Sequence, residues 1–323
     1  MPQSWQILKD WPELILDRLS DAGVARITYN RPEKRNALNG ALVAAFFDSL
    51  DIIRADREIK AVITRGAGKA YSSGLDLHFL RQVNATPRDW DRPTPTIQLA
   101  EAIRAFPRVM IAQVHGYCLG GALGIMNCHD IVFAAEDAQL GMPEILRGSF
   151  GQLVTSTLVH GGIPLKKVAL LQLVGRNITG TEADRLGIVS QAVPADQLED
   201  TTTRIASEIA SRHLAPLEHA KITVQMGRDL SLSQAIQLDP TGRPTPAPRR
   251  GSHRRRRELP GIPEGRAEPG LQAPRRVRGN ARQIRRSLRT SRKGRKSVPA
   301  GRGAGDRPPF RSAGRSPSGS LLD

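Results

Sequence analysis

Residues 110 to 144 read MIAQVHGYCLGGALGIMNCHDIVFAAEDAQLGMPE, an order of strand, glycine turn, helix, strand and acid. Val109 to Val114 is a mostly apolar run of strand length, and Ala122 to Cys128 has helical composition. Between them Gly120 and Gly121 permit a tight turn with no Cβ in the way. A backbone N–H at that turn sits at a helix N-terminus, where unpaired donors and the positive end of the helix dipole favour negative charge. Such a position suits an oxygen that gains charge during a reaction. A second glycine turn upstream, GKAYSSGLDL over residues 68 to 77, offers a second donor.

GKAYSSGLDL, then HGYCLGGA some forty residues later, then DIVFAAEDAQLGMPEILRG, resembles the enoyl-CoA hydratase/isomerase family, or crotonase superfamily. The resemblance runs from about Leu14 to about Leu238. It implies an α/β fold, a crotonase-like spiral of ββα repeats followed by a C-terminal helical region. It also implies the backbone N–H groups of Leu75 and Gly121 as oxyanion donors for a thioester enolate. Relatives that hydrate enoyl-CoA carry two glutamates; the first falls on Gly124 here and is absent, and the second is Glu144. One glutamate at this position is similar instead to 3,2-enoyl-CoA isomerases and hydroxycinnamoyl-CoA hydratase-lyases. Dienoyl-CoA isomerases have an aspartate where this chain has Gln152, which disfavours that activity.

The apolar setting Leu140-Gly141-Met142-Pro143-Glu144-Ile145-Leu146 is expected to raise the pKa of the Glu144 carboxyl toward useful proton transfer. Asp76 reads as structural, and His115 and Asp130 bracket the central helix without an assigned role in proton transfer.

Composition places the rest. Of 48 Lys and Arg, 23 lie after Asp239, against 5 of 31 acidic residues, so the tail carries +18 and the first 239 residues −1. The body is therefore an ordinary near-neutral globular sequence, long enough to bury a full core. Cys118 and Cys128 have no metal or disulfide spacing and read as small core residues. No metal or redox cofactor is implied, coenzyme A being part of the substrate. The N-terminus has charges throughout, and no run approaches eighteen apolar residues, which predicts a cytoplasmic protein without a membrane span.

Taken in order, Leu14 to Leu19 and Val24 to Tyr29 read as a hairpin turned at Asp21-Ala22-Gly23. NRPEKRNAL, residues 30 to 38, resembles the family segment that lines the coenzyme A site. By that resemblance the coenzyme A portion meets Arg31, Lys34 and Arg35 of this loop, then Lys69, Ala70, Ser73, Gly74 and Asp76, and Gly120 of the second turn. Leu38 to Ala55 is an amphipathic helix, Lys60 to Thr64 a strand, Arg81 to Pro95 a proline-punctuated loop and Thr96 to Phe106 a helix. Leu165 to Val174 reads as a helix, with Thr179 or Thr181 capping the next. Asp196 to His213, Pro216 to Arg228 and Ser231 to Leu238 follow as helices.

The expected organisation is a crotonase-like core over residues 1–194, an incomplete C-terminal helical region over 195–239 and a disordered Arg/Pro/Gly-rich tail over 240–323. The tail starts abruptly where relatives have a further helix, which suggests a change of reading frame. Its charge is compatible with nonspecific polyanion binding, and with only Phe310 for base stacking it carries no sign of specific nucleic-acid recognition. The resemblance implies an acyl-CoA substrate and a homotrimer or dimer of trimers if the helical region suffices.

Overall fold

A computed structural model describes residues 4–85 and 93–237 of the protein. The tail from 240 onward, and the expectations attached to it, lie outside the described residues. Strands β1 (Trp5–Trp11), β2 (Leu14–Leu19) and β3 (Val24–Tyr29) form an antiparallel meander. The β2–β3 turn uses left-handed backbone at Asp21 and Gly23, the two residue types that accept it most readily. Helix α1 (Gly40–Ala55) follows, capped by Asn39, whose side chain accepts the Leu42 N–H. Then come β4 (Ala61–Gly66), β5 (Ala70–Ser72), α2 (Leu77–Ala85) and α3 (Pro95–Ala105). The polar stretch from Arg81 is thus helical to Ala85 rather than loop, and residues 86–92 of the expected loop lie outside the described residues.

The second repeat is β6 (Val109–Val114), β7 (Tyr117–Leu119) and α4 (Gly121–Met126); the third is β8 (Ile131–Ala135), β9 (Gln139–Gly141), α5 (Gln152–His160) and α6 (Leu165–Val174). Strand β10 (Ile178–Thr179), α7 (Gly180–Arg185) and β11 (Gln191–Val193) complete the core. Helices α8 (Leu198–Ala210), α9 (Leu214–Asp229) and α10 (Leu232–Gln237) follow. In each repeat the first strand joins a seven-stranded sheet, β1-β2-β3-β4-β6-β8-β11, and the second joins a four-stranded sheet, β10-β9-β7-β5. This is the ββα spiral that the sequence implies.

Strand periodicity divides the two faces of the large sheet. Tyr29 packs edge-on to Tyr71 of β5, with ring centroids 5.4 Å apart, and also meets Phe46 of α1, so the small sheet and α1 share one face. Arg26, three residues away, points to the other face, where it reaches Glu199 of α8 at 3.1 Å and holds Asp17 at 2.6 Å. Arg65 of β4 meets the same Glu199. The core between these layers is aliphatic and continuous from Leu14 to Ala210.

Two polar clusters fix the region around α4. The Thr64 hydroxyl lies 2.9 Å from both Tyr71 Oη and His129 Nε2. His129 Nδ1 lies 3.2 and 3.1 Å from the Ile125 and Met126 carbonyls. Burial drives the His129 pKa down to about 4, so the ring is neutral, its Nδ1–H donates to the end of α4 and its Nε2 accepts from Thr64. Lys221 of α9 reaches Asp130 at 2.8 Å and the Arg108 carbonyl at 3.0 Å, fastening the C-terminal helices to the end of β6.

Of the two threonines in GRNITGTEADR, Thr179 is the cap. Its hydroxyl accepts the Glu182 N–H at 3.1 Å, and the Glu182 carboxylate accepts the Thr179 N–H at 2.8 Å, a complete capping box. Thr181 Oγ1 makes only a 3.5 Å contact with the Glu136 carbonyl. Thr179→Ala is expected to lower unfolding stability by about 1 kcal/mol and Thr181→Ala by less than about 0.5 kcal/mol in denaturant titrations. Equal losses would reassign the cap.

Candidate functional site

Three neighbouring strands of the small sheet bring the candidate residues together. Strands β5, β7 and β9 are parallel, with Ser72 beside Cys118 and Leu119 beside Gly141. The chain leaving each strand therefore emerges at one edge: Leu75 after β5, Gly121 after β7 and Glu144 after β9. The Gly120 N–H donates to the Gly141 carbonyl at 2.9 Å and locks the second and third of these exits to each other.

The glycine turns meet almost without intervening atoms. A Cβ on Gly74 would lie 2.7 Å from the Leu119 carbonyl oxygen and 3.5 Å from the Gly121 nitrogen; one on Gly121 would lie 3.2 Å from Leu75 Cγ. Gly74 and Gly120 both have positive φ, 97° and 55°, which a side chain would strain. Among the described residues the N–H groups of Leu75 and Gly121 donate to no group. That of Leu75 is free because the bridge to Leu38 uses its neighbours: Leu38 N–H donates to Gly74 and Asp76 N–H to Leu38. That of Gly121 is free because it opens α4.

Glu144 lies against this pair. A Cβ on Gly120 would stand 2.8 Å from Glu144 Oε1, and one on Gly151 3.1 Å from the same oxygen. The carboxyl thus occupies a slot whose two sides are glycine. Its Oε2 is buried without a hydrogen-bond partner among the described residues. Desolvation raises the pKa of Glu144 above its ordinary 4.5, only partly opposed by its own backbone N–H and the exposed Arg147. Two unpaired donors beside a desolvated carboxyl can hold charge on an oxygen while a proton moves nearby.

Gly124 lies one turn further along α4, and a Cβ there would meet Leu153 Cγ at 3.0 Å and the Val154 nitrogen at 3.1 Å. No second carboxylate stands at this point. Gly151 and Leu153 are site residues that sequence reading missed. Both flank Gln152, where the chain differs from dienoyl-CoA isomerases, and that difference was the available signal.

The NRPEKRNAL loop is stitched to the first glycine turn. Asn36, buried and left-handed at φ 55°, donates to the Ala67 and Ala70 carbonyls at 2.8 and 2.7 Å and accepts the Arg31 N–H. Ser72 Oγ donates to the Asn36 carbonyl, and the Ser73 N–H to the Arg35 carbonyl. Arg31 turns inward, reaching the Ala37 carbonyl and Asp76 Oδ2, the latter at 3.2 Å. Asp76 in turn accepts the His78 and Phe79 N–H groups and starts α2, in keeping with its structural reading. Lys34, Arg35 and Lys69 are exposed around the same turn, while Ala70 is buried in β5. Ser73, Gly74 and Gly120 line the turns themselves. His115 stands apart from Glu144, its Nε2 3.0 Å from the Gly68 carbonyl, and Asp130 is committed to Lys221. Cys118 is buried in the core and Cys128 half-buried; both are free thiols whose pKa values burial raises.

The described residues hold no group of three or more His, Cys, Asp or Glu able to bind a metal, and no helix long and apolar enough to cross a membrane.

Comparison with known proteins accords with this arrangement. The family model for enoyl-CoA hydratase/isomerase matches residues 20–242. The chain is similar to the 2,3-dehydroadipyl-CoA hydratase of Escherichia coli, 30% identical over 227 residues covering 69% of this chain and 86% of that protein. It is 27% identical over 216 residues to a hydroxycinnamoyl-CoA hydratase-lyase of Pseudomonas fluorescens, covering 66% and 78%. Among solved structures, Pseudomonas aeruginosa AtuE superposes with a TM-score of 0.63 at 29% identity, covering 69% of this chain and 87% of that one. An enoyl-CoA hydratase from Bacillus anthracis gives 0.62 at 27%, with 70% and 87% covered. With two thirds of its length matched by the family model and its glycine turns and Glu144 in one cluster, the chain belongs to the enoyl-CoA hydratase/isomerase family.

Proposed function

We propose that the protein is an acyl-CoA enzyme that shifts a double bond through an enolate, with Leu75 and Gly121 as oxyanion donors and Glu144 as the single acid and base. The observation that carries this reading is the position of Glu144 Oε1 against Gly120, beside two unpaired N–H groups, with no carboxylate at Gly124. Removing a proton next to a thioester carbonyl places charge on its oxygen, and each preorganised donor lowers that barrier by about 3 kcal/mol. Because the donors are backbone groups, Leu at position 75 serves as well as any other side chain. One carboxylate can take a proton from C2 or C4 of an enoyl thioester and return it to the other, whereas adding water calls for a further group to orient it. Coenzyme A would lie along the NRPEKRNAL loop, where Lys34, Arg35 and Lys69 offer exposed cations to its phosphates. We assign a cytoplasmic location and a trimeric assembly by the same reading. The second reading is a hydroxycinnamoyl-CoA hydratase-lyase-like activity, favoured by the single glutamate and by the Pseudomonas fluorescens relative.

The test follows conjugated enoyl-thioester absorbance with a 3-enoyl-CoA and, separately, a 2-enoyl-CoA. A rise with the first and no change with the second is the expected outcome; a fall with the second would establish hydration and overturn the isomerase reading. Glu144→Gln is expected to cut turnover at least about 1,000-fold while acyl-CoA binding persists, and surviving turnover would remove Glu144 from the mechanism.

Acidity supplies a further check. Since the carboxylate must be free to accept the proton, kcat/KM is expected to fall on acidification with a midpoint above 4.5, the ordinary glutamate value. The sign for stability is opposite. A carboxyl whose folded pKa is raised binds its proton more tightly folded than unfolded, so its contribution is fullest at low pH and is lost as pH rises through the folded pKa. Glu144→Gln is therefore expected to raise Tm relative to wild type at pH 7 and not at pH 4. A Tm difference that is the same at both would show that Glu144 is not desolvated in solution.

A further inference from the structure

Leu153 has Gly124 on one side and lines a cavity on the other. Gly120, which caps α4, stands against Glu144, and the Gly124 N–H donates to the Gly120 carbonyl at 3.3 Å one turn further along. The space beside Gly124 is taken by the Leu153 side chain, its Cγ 3.0 Å from where a Gly124 Cβ would be. On its other side Leu153 lines a cavity of about 630 Å³ between α3, the end of α4, α5 and α9. Ile97, Ala100, Cys128 and Val224 supply apolar wall, and Ser156 and the charged Glu101 and Arg104 line it as well. That volume lies in the range of sites that enclose a whole small ligand.

We propose that Leu153 is the specificity-determining residue of this site: it closes the chamber at the α4 face and limits acyl length, and the cavity behind it is a latent subsite for an unbranched aliphatic tail. The inference rests on the acyl-CoA reading above. A short acyl group ends against the Leu153 methyls. A longer one must displace them or leave its terminal methylenes in water, and so gains little from added length. Opening the wall lets those methylenes enter the cavity, each one buried being worth about fourfold in affinity.

The measurement is the calorimetric Kd of full-length protein for butyryl-CoA and for decanoyl-CoA, in wild type, Leu153→Ala and Leu153→Ala/Ser156→Phe. Ser156 is exposed at the cavity wall, so the phenylalanine fills the cavity from its rim without entering the core. The expected result is a preference for decanoyl- over butyryl-CoA that rises about tenfold or more in Leu153→Ala and returns toward wild type in the double variant. Leu153→Val is expected to move the same ratio the same way by a smaller factor, so the test does not depend on the alanine variant folding. If all the proteins bind butyryl-CoA and the ratio does not move, or Ser156→Phe leaves the gain in place, the role of Leu153 is overturned and the acyl-CoA reading stands. If wild type binds neither thioester, the acyl-CoA reading falls and this inference with it.

Discussion

The close approach of two backbone turns governs this structure. A Cβ on Gly74 would stand 2.7 Å from the Leu119 carbonyl, so a side chain there would drive the turns apart, and one on Gly121, 3.2 Å from Leu75 Cγ, would press on the Leu75 side chain. Their approach is a product of sheet register. Strands β5 and β7 are three residues each and would hold little on their own. Each is the second strand of a ββα repeat whose first strand is held in the seven-stranded sheet, so the small sheet inherits its spacing from the large one. Strand β9 extends the same logic by one place and delivers Glu144 beside Gly120. Three repeats thus supply three groups to one point, each just beyond the end of its strand, where loops are free to vary over a rigid base.

That dependence explains what the sequence revealed. The glycine turns, Glu144 and the longer helices were legible because each is a local pattern: α6 matches its expected bounds, and α1 differs only at its N-terminus, where Asn39 caps it. The small sheet was not legible. Strands of two or three residues such as β7 or β10 carry no periodicity, and they exist only because neighbours present an edge. Strand β1 was missed for a related reason. Its residues from Gln6 to Asp10 are exposed, so no buried face imprints an alternation on WQILKDW. Helix α5 was not read from the sequence at all, and with it went Gly151 and Leu153, whose importance lies in what they touch across space.

The polar groups around α4 show how a backbone donor is kept in place. The Gly121 N–H has no side chain to anchor it, so its direction is that of the helix it opens. The far end of α4 is held by His129, neutral and donating to the Ile125 and Met126 carbonyls, with Thr64 and Tyr71 completing the chain into β4 and β5. The near end is held by the Gly120–Gly141 hydrogen bond. One helix of six residues is therefore tied to β4, β5 and β9, and its position is set by the sheets that place Leu75 and Glu144. Loss of one such tie would tilt the donor relative to the carboxyl without touching either.

A division of labour follows from the kinds of atom involved. The two unpaired donors are peptide groups, so substitution of the side chain at Leu75 leaves them in place, and their position belongs to the fold. The carboxyl is a side chain, placed on the segment from Glu144 through Leu153, which follows β9 and is held in no strand. Changes in that segment would alter the surroundings of the carboxyl while the glycine turns stay as they are. In this chain Gly124 of α4 carries no carboxylate, Leu153 of the later segment packs against it, and Glu144 has one oxygen buried and unpaired among the described residues. A carboxyl in that state is costly to ionise, so its carboxylate is a stronger base than that of an exposed glutamate.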